Sequence, residues 1–223
     1  MKRTIQIKVC GLTEAKAAER CATLDIDAVG LVFYPKSPRH VSDAQAEEIA
    51  AAVNRRVAVV GVFVDEFADV ILKKAQRCGL TGVQLHGRET PAAVAQLKNE
   101  GLMVIKALFQ KREPFFQAVT RYAPSAFLLE CGGGQLPGGT AQVWNWSDAK
   151  AIAVNEPVIL AGGLTPANVG QAVALGRPHA VDVSSGVEAF PGKKDLSKIE
   201  AFVTAVAGVA VTDGQEEARR IFK

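Results

Sequence analysis

Four side chains of this sequence, each at or just beyond the end of a short apolar run, have the reactivity that chemistry at neutral pH needs. Cys10 closes the run Ile7-Lys8-Val9-Cys10, and Glu130 closes Phe127-Leu128-Leu129-Glu130. A thiol near cations and helix ends can be held as thiolate and accept a proton. A carboxyl in apolar surroundings stays protonated and can donate one. Cys10 and Glu130 are therefore a candidate base and acid. A strand-end cysteine taken singly is more often inert core. His86, in Gln84-Leu85-His86-Gly87, suits a base, a ligand contact or a hydrogen-bonding structural role equally well. Arg39 lies in Pro35-Lys36-Ser37-Pro38-Arg39, where proline stiffens the backbone, and its planar fork matches a carboxylate. A lone arginine is more commonly just a solvated charge.

Two later segments suggest anion binding. Ala161-Gly162-Gly163-Leu164-Thr165-Pro166 allows close backbone approach and then opens a helix, whose N-terminus carries partial positive charge. Asp182-Val183-Ser184-Ser185-Gly186 adds amides and hydroxyls. Either segment alone reads equally well as a glycine turn. Together they point to a phosphate cradle.

These residues need elements to position them. Apolar, β-branched runs fall at residues 5–9, 28–33, 57–64, 82–85, 103–108, 126–129, 158–161 and 180–183, eight in all. Most are almost unbroken, as in parallel strands buried on both faces. Helical patterns lie between and after them, at 14–24, 43–53, 66–78, 90–99, 113–122, 148–154, 166–175 and 196–206. Thr13, Ser42, Asp65 and Thr165-Pro166 are candidate starts, and Gly79, Gly101 and Gly176 candidate stops. The average of about 28 residues per unit is close to what a βαβ step requires. The expected fold class is α/β, a single (β/α)8 TIM barrel with its phosphate site at the loops after strands 7 and 8. A doubly wound open sheet is the alternative. It would want G-x-G-x-x-G after the first strand, where this chain has Cys10-Gly11-Leu12-Thr13. No linker divides residues 1–209, the expected barrel domain, and 210–223 read as a polar C-terminal extension.

Composition narrows the function. The 223 residues carry 26 basic and 23 acidic side chains, a net charge of +3, with the basic residues dispersed along the chain. That argues against nucleic acid as a partner. The chain is 48% hydrophobic, without an apolar run near the ~20 residues of a membrane span. Lys8 interrupts the apolar core that a signal peptide would need. A cytoplasmic protein with no membrane partner is expected. The cysteines, Cys10, Cys21, Cys78 and Cys131, form no C-x-x-C pair, so no metal site is expected and most should be buried thiols.

Across residues 8–202 the chain resembles the phosphoribosylanthranilate isomerases. The carrying segments are Lys8-Val9-Cys10-Gly11-Leu12, Gly30-Leu31-Val32-Phe33-Tyr34 with Ser37-Pro38-Arg39, Gly61-Val62-Phe63-Val64, Val83-Gln84-Leu85-His86-Gly87, Leu160-Ala161-Gly162-Gly163-Leu164, Val181 to Glu188, and Pro191-Gly192-Lys193-Lys194-Asp195. The resemblance implies an Amadori rearrangement of N-(5-phosphoribosyl)anthranilate in tryptophan biosynthesis, with a phosphorylated small-molecule substrate, no cofactor and a monomer or homodimer. It implies Cys10 as base, Arg39 on the anthranilate carboxylate, Asp182 on the sugar hydroxyls, and Gly162-Gly163 with Ser185-Gly186 on the phosphate. The chain departs from the family around the sixth strand. Glu130 stands where the acid is ordinarily Asp, Gly138-Gly139-Thr140-Ala141 replaces Gly-Gly-Thr-Gly, and Trp144-Asn145-Trp146 replaces Phe-Asp-Trp. The rivals are another phosphosugar barrel, such as the histidine-pathway isomerase or the tryptophan synthase α subunit, and a catalytically silent phosphosugar-binding protein.

Overall fold

A run such as Ala28-Val-Gly-Leu-Val32 has no polar side chain to turn toward water, so it forms a stable strand only where both faces are covered. The computed structural model, described here for residues 5–133, 142–209 and 220–222, satisfies that demand by closure. The strands β1 (Gln6–Cys10), β2 (Ala28–Val32), β3 (Ala58–Phe63), β4 (Gly82–Leu85), β5 (Met103–Phe109), β6 (Ala126–Glu130), β7 (Val158–Leu160) and β8 (Ala180–Val183) make one closed parallel barrel in sequence order. Its seam is the pairing of β1 with β8, where Lys8 stands opposite Asp182.

Side chains alternate about the sheet. One set, including Ala28, Val60, Ile105, Leu128 and Ile159, fills the barrel. The other set, including Val29, Leu31, Val83, Leu108 and Leu129, packs outward against the helices. These are α1 (Ala15–Cys21), α2 (Asp43–Val53), α3 (Ala68–Arg77), α4 (Pro91–Asn99), α5 (Lys150–Ala153), α6 (Val169–Gly176) and α7 (Leu196–Ala207). A hairpin of β9 (Glu188–Phe190) and β10 (Lys193–Lys194) follows β8.

The helices differ from the sequence expectation where a local polar group had another task. Ser42 does cap α2, in a reciprocal capping box with Gln45, and Thr90 caps α4. Thr13 instead donates its hydroxyl proton to the Gly192 carbonyl. Asp65, expected to cap α3, has φ 54° and accepts the Arg88 N–H, so α3 starts only at Ala68. The expected helix over 113–122 is a 3-10 turn, Phe116–Arg121, with no buried residue to anchor a longer helix. The expected helix over 148–154 is split into a 3-10 turn, Trp146–Ala149, and the single turn of α5. Helix α6 begins at Val169 rather than at Pro166, because the Asn168 carboxamide takes the Thr165 N–H and tightens the entry into a turn. It ends on Arg177 in the left-handed region, one residue beyond the expected stop. Gly176 is needed for packing instead, since a Cβ there would stand 3.0 Å from the Trp146 carbonyl.

Residues 210–219 lie outside the described residues. Beyond them, Ile221 and Phe222 are buried among Ala28, Ala58, Ala126 and Ala180 at the N-terminal end of the barrel. Gln6 clasps them. Its amide oxygen accepts the N–H groups of Ile221 and Phe222, at 2.6 and 3.1 Å, and its NH2 donates to the Phe222 carbonyl at 2.8 Å.

Candidate active site

The parallel barrel puts every strand's C-terminal end at one mouth, and the inward alternation decides which side chains reach it. On β1 the inward positions are Gln6, Lys8 and Cys10. Cys10 packs against Val32 and Val62, with Tyr34 at the edge. Gly30 is its direct neighbour on β2, and a Cβ there would lie 2.7 Å from Sγ, so the glycine makes room for the thiol. Burial pushes the Cys10 thiol above its ordinary range, although the Lys8 and Lys194 cations pull the other way. Desolvation and the cations thus act in opposite directions on the thiolate that a base at this position needs, and desolvation is the larger.

On the opposite side Glu130, ending β6, is buried and pairs with His86, Nε2 to Oε2 at 3.2 Å. His86 follows β4 and meets the Phe109 ring edge-on. The Nδ1 of His86 is 3.0 Å from Gln84 Nε2, and Gln84 Oε1 accepts from Lys8 Nζ at 2.9 Å. Lys8, with no exposed surface, also bonds Asp182 at 3.0 Å. Burial works against its charge, but Asp182 and Cys10 beside it prevail and lift it above the ordinary lysine value. Cys10, Asp182, His86 and Glu130 therefore converge on one polar layer in the barrel, with Lys8 and Gln84 linking them.

Arg39 is buried, and its Nε and Nη2 hold both oxygens of Glu188, at 2.8 and 2.7 Å. Glu188 also binds Lys194 at 2.7 Å. Burial alone would raise the Glu188 carboxyl, but Arg39 and Lys194 hold it below the usual carboxylate range. Lys194 reaches the Ser184 carbonyl and hydroxyl, at 3.1 and 3.3 Å. The arginine fork is thus partly committed within the protein, and the hairpin β9–β10 keeps it in place.

The two glycine segments lie side by side. Gly162 and Gly163 have φ of 87° and 69°, values that favour glycine. A Cβ on Gly186 would stand 1.9 Å from the Leu164 carbonyl, so the loops after β7 and β8 touch there. Trp144 and Trp146, the substitutes in the departing segment, donate indole protons to the carbonyls of Ala161 and Gly162, at 2.8 and 3.4 Å. Gly162 also backs onto Glu130, whose Cγ would be 3.0 Å from a Cβ at that position. The segment Gly138-Gly139-Thr140-Ala141 lies outside the described residues.

Lys8, Lys194 and Glu188 are the functional candidates that residue types at strand ends did not reveal. Lys8 had a signal, a lysine inside an apolar run two positions from Cys10. Glu188 and Lys194 lie in segments that carry the resemblance, but nothing local gave them a role, because their contacts depend on a hairpin that brings them to Arg39. Among the described residues, no group of three His, Cys, Asp or Glu is arranged to hold a metal ion. No helix among them is long and apolar enough to cross a membrane.

Residues 7–205 match the family model described as N-(5'-phosphoribosyl)anthranilate (PRA) isomerase. A relative of that name from Desulfatibacillum aliphaticivorans is 50% identical over 199 residues, 89% of this chain and 91% of the relative. The crystal structure of the phosphoribosyl anthranilate isomerase from Thermotoga maritima superposes with a TM-score of 0.83 at 36% identity, covering 92% of this chain and 99% of that one. A further solved structure, of the isomerase in complex with reduced 1-(o-carboxyphenylamino)-1-deoxyribulose 5-phosphate, gives a TM-score of 0.80 at 36% identity, with 92% and 99% covered.

Proposed function

The chain belongs to the N-(5'-phosphoribosyl)anthranilate isomerase family, and on that footing we propose how its residues perform the reaction. The enzyme is an isomerase of tryptophan biosynthesis. It converts N-(5-phosphoribosyl)anthranilate to 1-(2-carboxyphenylamino)-1-deoxyribulose 5-phosphate. Glu130 gives a proton to the furanose ring oxygen, the C1'–O bond breaks, and the nitrogen lone pair forms the C1'=N bond of an iminium ion. Cys10, as thiolate, then takes the C2' proton; the C–H electron pair becomes the C1'=C2' bond and the C1'=N π pair returns to nitrogen. The resulting enolamine tautomerises to the ketone. Atoms and electrons balance within the substrate, because its own nitrogen is the electron sink.

The observation that carries this reading is the placement of a buried thiol and a buried carboxyl on β1 and β6, at one mouth and bridged by a single polar layer. Cys10 enters the proton-abstraction step as its thiolate, its own proton having passed to solvent beforehand; burial makes that form scarce, and the Lys8 and Lys194 cations favour it. The iminium cation formed by ring opening favours that thiolate further, as an opposite charge at close range offsets desolvation. Asp182 would meet the sugar hydroxyls. The Gly162-Gly163 and Ser184-Ser185-Gly186 loops would take the phosphate, and His86 would line the pocket beneath. The anthranilate carboxylate would meet the outer Nη1–Nη2 end of Arg39, since Glu188 occupies its other edge.

Cytoplasmic action fits four buried cysteines that are all free thiols. The active form is a monomer or homodimer, which light scattering of the purified protein resolves. The deciding experiment follows the fluorescence of phosphoribosylanthranilate made in situ from anthranilate and phosphoribosyl pyrophosphate. Enzyme-dependent decay above spontaneous hydrolysis, with the rearranged product identified by mass, is expected, and Glu130→Gln should remove most of it. No decay from folded protein that still binds a product analogue would overturn the reading in favour of a silent phosphosugar-binding protein.

A further inference from the structure

A glutamate at the acid's position has one more rotatable bond than the aspartate usual there, and a freely swinging carboxyl transfers a proton poorly; misplacement by about 1 Å can cost ~100-fold. Something must hold it. The hydrogen-bond polarity of the inner layer identifies what does. An ammonium has three donors and no acceptor, so Lys8 fixes the Gln84 amide with its oxygen toward Nζ and its NH2 toward His86. An amide NH2 only donates, so Nδ1 of His86 must accept and carries no proton. The proton of the neutral ring then sits on Nε2, which faces Oε2 of Glu130.

We infer that His86 is a positioning residue for the proton donor: its Nε2 edge, 3.2 Å from Oε2 of Glu130, holds that oxygen to one side, so that Oε1 is the oxygen that carries and delivers the proton. The inference rests on the reading of Glu130 as general acid. The tether is itself held from two directions, by the Lys8–Gln84 pair below and by Arg112, whose Nη2 donates to the His86 carbonyl at 3.1 Å. The charged groups facing the pair are Lys8 of β1, Asp182 of β8 and Arg112 from the segment after β5. The tether also assigns a use to the loop after β4. Lys106 Nζ grips the carbonyls of Leu85 and Gly87, at 3.1 and 2.7 Å, and fixes the backbone on both sides of His86.

Nitrogen-15 NMR of histidine-labelled protein tests the tautomer in the unaltered sequence, with the His86 signals assigned by their loss in His86→Gln. A protonated Nε2 and a bare Nδ1 are expected, and a proton on Nδ1 alone overturns the inference. Kinetics test the role. His86→Leu should lower kcat about 10- to 100-fold, the worth of one hydrogen bond to a carboxyl, while KM moves less than about threefold. His86→Gln, which keeps an N–H donor, should recover most of that loss. A purely structural role would instead raise KM, or would leave His86→Gln as impaired as His86→Leu, and either result overturns the positioning role. Glu130→Gln with undiminished kcat would remove the acid assignment itself, and the NMR result would still report the tautomer on its own.

Discussion

Cys10 illustrates how a residue's type and its setting make separate statements. Its type says base; its setting, buried beside Val32 and Val62, works against the charged form that a base needs. Two consequences are measurable. Cys10→Ser, nearly isosteric but far less acidic, should reduce kcat by about 10²- to 10⁴-fold with the circular dichroism spectrum unchanged. Since burial lifts the thiol above its ordinary 9.0, the thiolate fraction of free enzyme keeps growing across the neutral range. The ultraviolet thiolate absorbance that Cys10→Ser removes from the free enzyme should therefore still be climbing at pH 9; a difference already flat below pH 8 would mean that burial does not hold the Cys10 thiol up. Cys10, Glu130 and His86 were legible in the sequence because reactive types stood at the ends of apolar runs. Their linkers were not, because Lys8 meets Gln84 across 76 positions and Asp182 across 174, and local pattern carries no information about either contact.

Among the elements, strands were read more sharply than helices, for a physical reason. The ranges expected for β4 and β8 coincide with those observed, and the others shift by a residue or two, because an unbroken apolar run has one use in a closed barrel. Helix starts depend on which partner a polar side chain finds, and Asp65 and Thr13 found partners on other loops. The loop after β4 makes this interdependence testable. Glu89 accepts from the Gly87 and Asp65 N–H groups and from Lys106, a fully buried ion pair under the His86 backbone. Lys106→Met would fill the space but leave Glu89 buried without its cation. A loss of about 3–5 kcal/mol in urea unfolding is expected. A change under 1 kcal/mol would show that water or a rearranged loop takes over the carboxylate.

At the scale of the molecule, the two ends of the barrel have divided tasks. One mouth gathers the buried charges, and the other is closed by Ile221 and Phe222 over a ring of alanines. Residues 210–223 read as polar in sequence because their overall composition hid two apolar anchors, whose value depends on Gln6 over 200 positions away. Phe222→Ala should lower stability by about 3–5 kcal/mol, seen as a drop in Tm. kcat at 25 °C should stay as it was, since the side chain lies at the far end from Cys10 and Glu130. A kcat loss comparable to that of Cys10→Ser would contradict the division.

The order of residues around the barrel has one more consequence. Cys10, Arg39 and His86 all precede β5, whereas Glu130, Gly162, Asp182 and Ser185 all follow it. Cutting the backbone between α4 and β5 would yield two half-barrels, one with the proposed proton acceptor and one with the proposed proton donor, neither with a complete reaction centre. Turnover could then appear only when the fragments dock through both the β4–β5 and β1–β8 edges, so the enzyme would serve as its own reporter of reassembly.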